Sequence, residues 1–160
     1  MEPTIVERED QPYVALSGKI PMSGIADFAR RTPELFSWLA ARTIDPIGDV
    51  FFRYTLVDME NGLGLQIGVP VEERHTGEGE IVGGVLPGGR YVSVTHIGHP
   101  DGLEGATGEL LAWAEKEGLE WDVDGNNWGS RLEVYKSDPQ EVPMEQWETE
   151  LLFRLRGQTG

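Results

Sequence analysis

Apolar residues recur at steps of three and four in two stretches of this chain, and the second stretch repeats the first. Leu103, Ala106, Thr107, Leu110, Leu111 and Ala114 mark one face of a helix running from about Gly102 to Glu117. Asp101 is placed to cap its start, and Gly118 to end it in the left-handed conformation. Ile25, Phe28, Ala29, Leu35, Phe36 and Leu39 trace a similar stripe, with Ser23 as its cap. Proline suits only the first turn of a helix, so Thr32-Pro33 either starts a second helical piece or kinks a single one. Glu34, Leu35 and Trp38 fall on Glu109, Leu110 and Trp113 with one offset of 75 (109−34, 110−35, 113−38). That distance is too long for a solenoid repeat and points to a duplicated half-domain, with halves of about 4–72 and 80–157.

Extended segments surround each helix. Tyr13-Val-Ala-Leu16 is a short strand. Val50 to Val57 is aromatic and β-branched, and the Asn61-Gly62 turn returns it along Leu63 to Val71. In the second half Ile81 to Leu86 and Arg90 to Ile97 are extended around a Pro87-Gly-Gly89 turn; Arg131 to Lys136 and Trp147 to Arg156 follow the helix. Strand, helix, strand, strand, stated twice, predicts an α+β fold: one antiparallel sheet, both helices on one face, a groove on the other. Along the last strand Thr149, Leu151, Phe153 and Leu155 suit the helix side, which places Glu148 and Glu150 on the open face.

Composition narrows what such a fold does. Of 160 residues 39% are apolar, with five Trp, four Tyr and five Phe, enough for one core. No run approaches the ~20 apolar residues of a membrane helix, and the acidic start lacks the layout of a signal peptide, so a cytoplasmic protein is expected. With no cysteine there is no thiol chemistry and no thiolate metal site. The net charge of −15, from 13 Lys+Arg against 28 Asp+Glu, repels phosphate backbones and disfavours direct nucleic-acid binding. The same charge either keeps the surface solvated or attracts cationic ligands. His96, His99 and Asp101 lack a third strong ligand at metal-site spacing, so no metal is expected. The paired glycines 83–84 and 88–89 are not followed by the Gly-Lys-Ser/Thr of a phosphate loop, and no Gly-x-Ser-x-Gly elbow occurs; no cofactor is expected.

Several segments, in order, carry a resemblance: Arg8 to Leu16, Pro33-Glu-Leu35, Phe51-Phe-Arg-Tyr54, Gly68-Val-Pro-Val71, Pro87-Gly-Gly-Arg-Tyr91, Thr95-His-Ile-Gly98, Leu132-Glu-Val-Tyr135, Ser137-Asp-Pro139 and Thr149-Glu-Leu151. With them the chain resembles the GyrI-like small-molecule-binding domains, the effector-binding domains of AraC-type and multidrug-sensing regulators, here in a stand-alone form. The resemblance implies a duplicated fold with a groove between the halves, lined by aromatic rings and an acidic residue. It further implies that the Thr-Glu of the last strand supplies a ligand-facing glutamate, here Glu150. One departure is His96-Ile-Gly-His-Pro-Asp101, where the family often has an aromatic residue.

The candidate ligand contacts are therefore Glu150, Tyr54, Phe52, Tyr135, Trp128 and Trp147, with Glu150 and Glu133 as catalytic groups if the protein is an enzyme. Phe52 and Tyr54 share one side of their strand, as do Glu133 and Tyr135, and the two strands occupy equivalent places in the repeat. Rings beside a carboxylate suit a cationic ligand. Against this stand plainer readings: a solvated glutamate, core tyrosines, and tryptophans capping sheet edges. Three functions follow from the resemblance. The first is a module that senses or sequesters an amphipathic, aromatic or cationic small molecule. The second is a hydrolase opening cyclopropane-bearing DNA-alkylating natural products. The third is a protein–protein module of the gyrase-inhibitor type.

Overall fold

The computed structural model describes residues 2–138 and 140–157. Pro139, the end of the Ser137–Pro139 segment above, lies outside them. The first half consists of strands β1 (Thr4–Arg8) and β2 (Gln11–Ile20), helices α1 (Ile25–Ala29) and α2 (Thr32–Ala41), and the hairpin β3 (Phe51–Asp58) and β4 (Gly62–Pro70). The second has β5 (Ile81–Leu86), β6 (Gly89–Ile97), helix α3 (Leu103–Lys116), the two-residue strands β7 (Val123–Asp124) and β8 (Asn127–Trp128), then β9 (Arg131–Tyr135) and β10 (Glu148–Arg154).

The main path of the sheet runs β1-β6-β10-β9-β3-β4-β2-β5, and its pairings are antiparallel. The order is symmetric about the β9–β3 junction. The three strands β6-β10-β9 of the second half mirror β2-β4-β3 of the first. The outermost strands are exchanged: β1 precedes β2 in sequence but pairs with β6, and β5 precedes β6 but pairs with β2.

This exchange forces the sheet to curl. β1 and β2 stand first and seventh in the order, six spacings apart, or about 29 Å in a flat sheet. Only Glu9 and Asp10 join them, and so short a link reaches about 11 Å. Pro87 and Gly88 impose the same condition on β5 and β6. The ends of the sheet meet, and the Asp10 carboxylate ties the two links by accepting the Gly88 N–H at 2.6 Å. The inner face fills with Tyr13, Ala15, Phe51, Leu86, Tyr91, Leu132 and Leu152, a core drawn from strands at both ends of the order.

The helices cover the outer face in two separate patches. Phe28, Leu35 and Leu39 pack on Val14, Leu16, Leu65, Ile67 and Val69. Leu103 and Leu110 pack on Val92, Val94, Leu151 and Phe153. Fully burying one such leucine contributes about 1.5–3 kcal/mol. Trp38 and Trp113, the repeated tryptophans, rest at the margins of the two patches.

The offset of 75 persists in the backbone at the helix ends. Gly118 N–H donates to Glu115 O and Leu119 N–H to Ala114 O; Thr43 N–H donates to Ala40 O and Ile44 N–H to Leu39 O. Both pairs close a Schellman stop, with Gly118 at φ +71° and Thr43 at φ +56°. Thr43 is 75 before Gly118 (118−43) and is the one described non-glycine residue with positive φ. The expected helix starts differ. Ser23 and Asp101 lie inside short 3-10 turns, Met22–Gly24 and Pro100–Gly102, and the residues that precede α1 and α3 are Gly24 and Gly102, without side-chain caps. His99 Nδ1 caps the second turn by accepting the Asp101 N–H at 3.1 Å.

Candidate functional site

Since α2 lies over the β2–β4 side and α3 over the β6–β10 side, the strip between them, along β3 and β9, has no helix above it. Alternation decides what that strip presents. Phe51 and Arg53 point inward, so Phe52 and Tyr54 point outward; Leu132 and Val134 point inward, so Arg131, Glu133 and Tyr135 point outward. Phe52 stands opposite Glu133 in the β3–β9 register. A cleft of about 820 Å³ opens over this strip. Ile25, Ala29 and Phe36 form one wall, Pro100 and Trp147 the other, and Phe52 and Tyr135 the floor. The two floor rings meet edge to face, centroids 4.8 Å apart.

Glu133, 9% exposed, lies behind this floor together with Tyr54 and Arg131; none of the three lines the cleft itself, and Glu133 is joined to it through Tyr135. Its Oε1 accepts two hydrogen bonds, from Tyr54 Oη at 3.1 Å and from Tyr135 Oη at 2.8 Å. Among the described residues no hydrogen bond reaches Oε2. Burial raises the Glu133 pKa, opposed by the two tyrosine hydrogen bonds and by the charge of Arg131. Tyr54 and Tyr135 are pushed up strongly, by burial first and by the Glu133 charge, so both remain donors. Arg131, whose pKa is lowered by burial, sits over the rings of Trp128 and Phe153 at 4.8 Å each and Tyr54 at 5.8 Å. The rim adds Asp49, Asp138 and Glu148 against Lys136 alone. An acidic rim, apolar walls and a recessed carboxylate with one unengaged oxygen suit a bulky apolar cation.

The structure thus brings five of the sequence candidates together: Phe52, Tyr54, Glu133, Tyr135 and Trp147. The Trp147 indole donates to Val142 O at 2.8 Å, which fixes the ring in the wall. Trp128 stands apart, packed with Trp121 and Phe153 around Arg131. Glu150 lies on the opposite face, as the alternation of the last strand required, in a second cleft with Phe51, Leu132 and Val134 that adjoins the first at Gly48, Asp49 and Lys136. Glu148, expected on the same face, instead lines the helix-side cleft, because it is the first residue of the strand, at the end of the alternation. A cleft therefore exists on each face, and the aromatic candidates occupy the one on the helix side. Arg131, Phe36 and Asp49 were not anticipated as parts of the site. Arg131 had a signal, since it shares the alternation of Glu133 and Tyr135.

Solved structures share this fold. The C-terminal domain of EcmrR superposes with TM-score 0.82 at 19% identity, covering 97% of each chain. SAV2435 bound to tetraphenylphosphonium gives 0.71 at 12% identity, over 98% of this chain and 95% of that one. A protein from Listeria innocua described as a hydrolase gives 0.69 at 14% identity, over 97% and 92%. No curated protein matches the sequence. Residues 1–156 match the GyrI-like small molecule binding domain, and the chain belongs to that family.

Proposed function

We propose that the helix-side cleft captures hydrophobic, aromatic cations and that the protein senses or sequesters them. The observation that carries this reading is Glu133, a recessed carboxylate whose Oε1 is held by two tyrosine hydroxyls while Oε2 accepts no hydrogen bond among the described residues. Removing a cation from water costs less where a carboxylate waits beneath ring faces, and a desolvated cation–ring contact contributes about 2 kcal/mol. The tyrosine hydroxyls keep the carboxylate in place before the ligand arrives, so less ordering remains to oppose binding. SAV2435, which shares the fold, was solved with tetraphenylphosphonium, a cation of this class.

Tetraphenylphosphonium and neutral triphenylphosphine oxide, titrated by calorimetry into the wild type and Glu133→Gln, test the proposal. The substitution removes charge and keeps shape. We expect the cation to weaken at least tenfold and the neutral compound to change less than threefold. Equal weakening of both would remove Glu133 from the binding role.

A second reading, a hydrolase that opens strained rings, draws on the same carboxylate. Its raised pKa gives it basicity toward a water proton, and Tyr54 and Tyr135 supply donors nearby. Binding and turnover share this geometry and are separated only by product formation.

A further inference from the structure

The molecule has a second cleft, at the mouth of the curled sheet on the face away from the helices. We propose that it is a second binding site, adjoining the helix-side cleft at Gly48, Asp49 and Lys136, for a slim aliphatic ammonium ion, with Glu150 as the counter-charge. The cleft holds about 400 Å³, within the range of small-molecule sites and about half of the helix-side volume. Its floor is aliphatic, from Leu132, Val134 and Leu152, with Phe51 beside them. Phe51 is 3% exposed and packs against Tyr13 with centroids 5.7 Å apart, so it offers no open stacking face. An alkyl chain fits such a floor, and a set of flat rings does not.

Glu150 supplies the polar end. Its side chain is 13% exposed and belongs to a central strand, so its position is fixed by β6 on one side and β9 on the other. Oε2 accepts a hydrogen bond from Ser93 Oγ at 2.5 Å. Among the described residues Oε1 has only distant partners: Lys136 Nζ at 3.5 Å and Arg8 Nη2 at 3.8 Å. Those two side chains are 42% and 49% exposed, and long, solvated cations at such distances hold a carboxylate weakly. A ligand ammonium resting on the aliphatic floor reaches Oε1 at hydrogen-bond distance from a drier side, where a charge-assisted bond is stronger. Around the mouth Glu7, Glu9, Asp10, Asp49 and Glu150 outnumber Arg8 and Lys136 by three charges (5−2), so the local field favours a cation. The Asp10–Gly88 tie holds the rim in place before binding.

The test is a titration of the protein, methyl-labelled at Leu and Val, with n-hexylammonium, followed by NMR. We expect saturable shifts centred on Leu132, Val134 and Leu152. Glu150→Gln keeps an acceptor for Ser93 and is expected to weaken the amine at least tenfold, and n-hexanol to bind at least tenfold more weakly than the amine. Val134→Phe fills the floor and is expected to abolish the shifts, which gives a second route should Glu150→Gln fail to fold. Retained tetraphenylphosphonium binding in the helix-side cleft, or an unchanged far-ultraviolet spectrum, certifies the fold of each variant. Glu133→Gln is expected to leave hexylammonium binding unchanged, so this proposal and the function proposed above fail separately. Absent shifts, equal binding of hexanol, an unaffected Glu150→Gln variant, or shifts confined to the helix-side cleft would each overturn it.

Discussion

Tyr54 lies on β3 and Glu133 on β9, and the 3.1 Å hydrogen bond between them crosses the junction where the two halves meet. Tyr135, from the same strand as Glu133, reaches the same oxygen at 2.8 Å. The charged centre of the site is thus assembled from both halves, with the carboxylate from one and a donor from each.

The first prediction concerns pH. Burial raises the Glu133 pKa above its ordinary value of 4.5. A carboxyl group shifted this way favours the fold most fully below its unfolded pKa, and that contribution is lost as pH rises through the raised folded value. Ionisation is what a cationic ligand needs, so affinity moves the other way. Between about pH 4.5 and the raised pKa, tetraphenylphosphonium affinity is expected to increase with pH while the stability of the unliganded protein declines. Glu133→Gln is expected to flatten both profiles. Calorimetry and urea denaturation across this range provide the check, and a wild-type affinity independent of pH would contradict it.

A second prediction concerns Arg131. Its charge opposes the upward shift of Glu133, and its guanidinium lies against Tyr54, Trp128 and Phe153. Arg131→Met keeps much of the apolar stem and removes the cation. The midpoint of the pH–affinity profile is then expected to move to higher pH. Carbon-13 NMR of the Glu133 carboxyl in both proteins measures the shift directly; a midpoint that stays or falls counts against the assigned coupling.

Thr43 offers a test free of the ligand. A β-branched residue at φ +56° carries strain that glycine does not, and the left-handed conformation costs an L-residue about 1–2 kcal/mol. Thr43 is exposed, so little packing is lost with its side chain. Thr43→Gly is expected to stabilise the protein by about 1 kcal/mol, and Gly118→Ala to destabilise it by a similar amount. Urea denaturation midpoints decide the signs.

The hydrolase reading makes a quantitative demand. Incubated with a tenfold excess of a cyclopropane-bearing alkylator, a binding protein leaves the compound intact or consumes at most one equivalent. That is the outcome we expect, measured by mass spectrometry of the ring-opened hydrate. Multiple turnovers that disappear in Glu133→Gln would replace the sensing reading with catalysis.

Much of this architecture is legible in the spacing of apolar residues. Leu35, Leu39, Leu110 and Ala114 are fully buried where helical period placed them. Thr149, Leu151 and Phe153 face the helices where a period of two placed them. The same alternation sorted Phe52, Tyr54, Glu133 and Tyr135 onto common sides. What alternation does not encode is which face of a sheet carries the opening. That depends on the curl, which depends on the exchange of β1 and β5, a long-range pairing with no local signature. Hence Glu150 has the predicted orientation and lies in a different cleft from the aromatic set. Trp128 and Trp147 stand outside regular strand positions or at their margins, where tertiary packing and not period decides orientation. The misplaced caps have a local cause: a 3-10 turn precedes each helix, displacing Ser23 and Asp101 from the position where a side chain reaches the first free N–H groups.

The exchanged outer strands have a consequence for how the protein comes apart. β1 is held by β6, more than 80 residues later, and β5 by β2, more than 60 residues earlier. Severing the chain between Val71 and Glu80 would leave each fragment holding a strand whose hydrogen-bond partner belongs to the other. Neither fragment is then an autonomous folding unit, and the inner core, fed by both, forms only when both are present. Amide hydrogen exchange is expected to find one cooperative opening across β2, β4, β6 and β10, in place of two independent ones. Co-expressed fragments are expected to recover the fold that either lacks alone, since reassembly satisfies both edges at once.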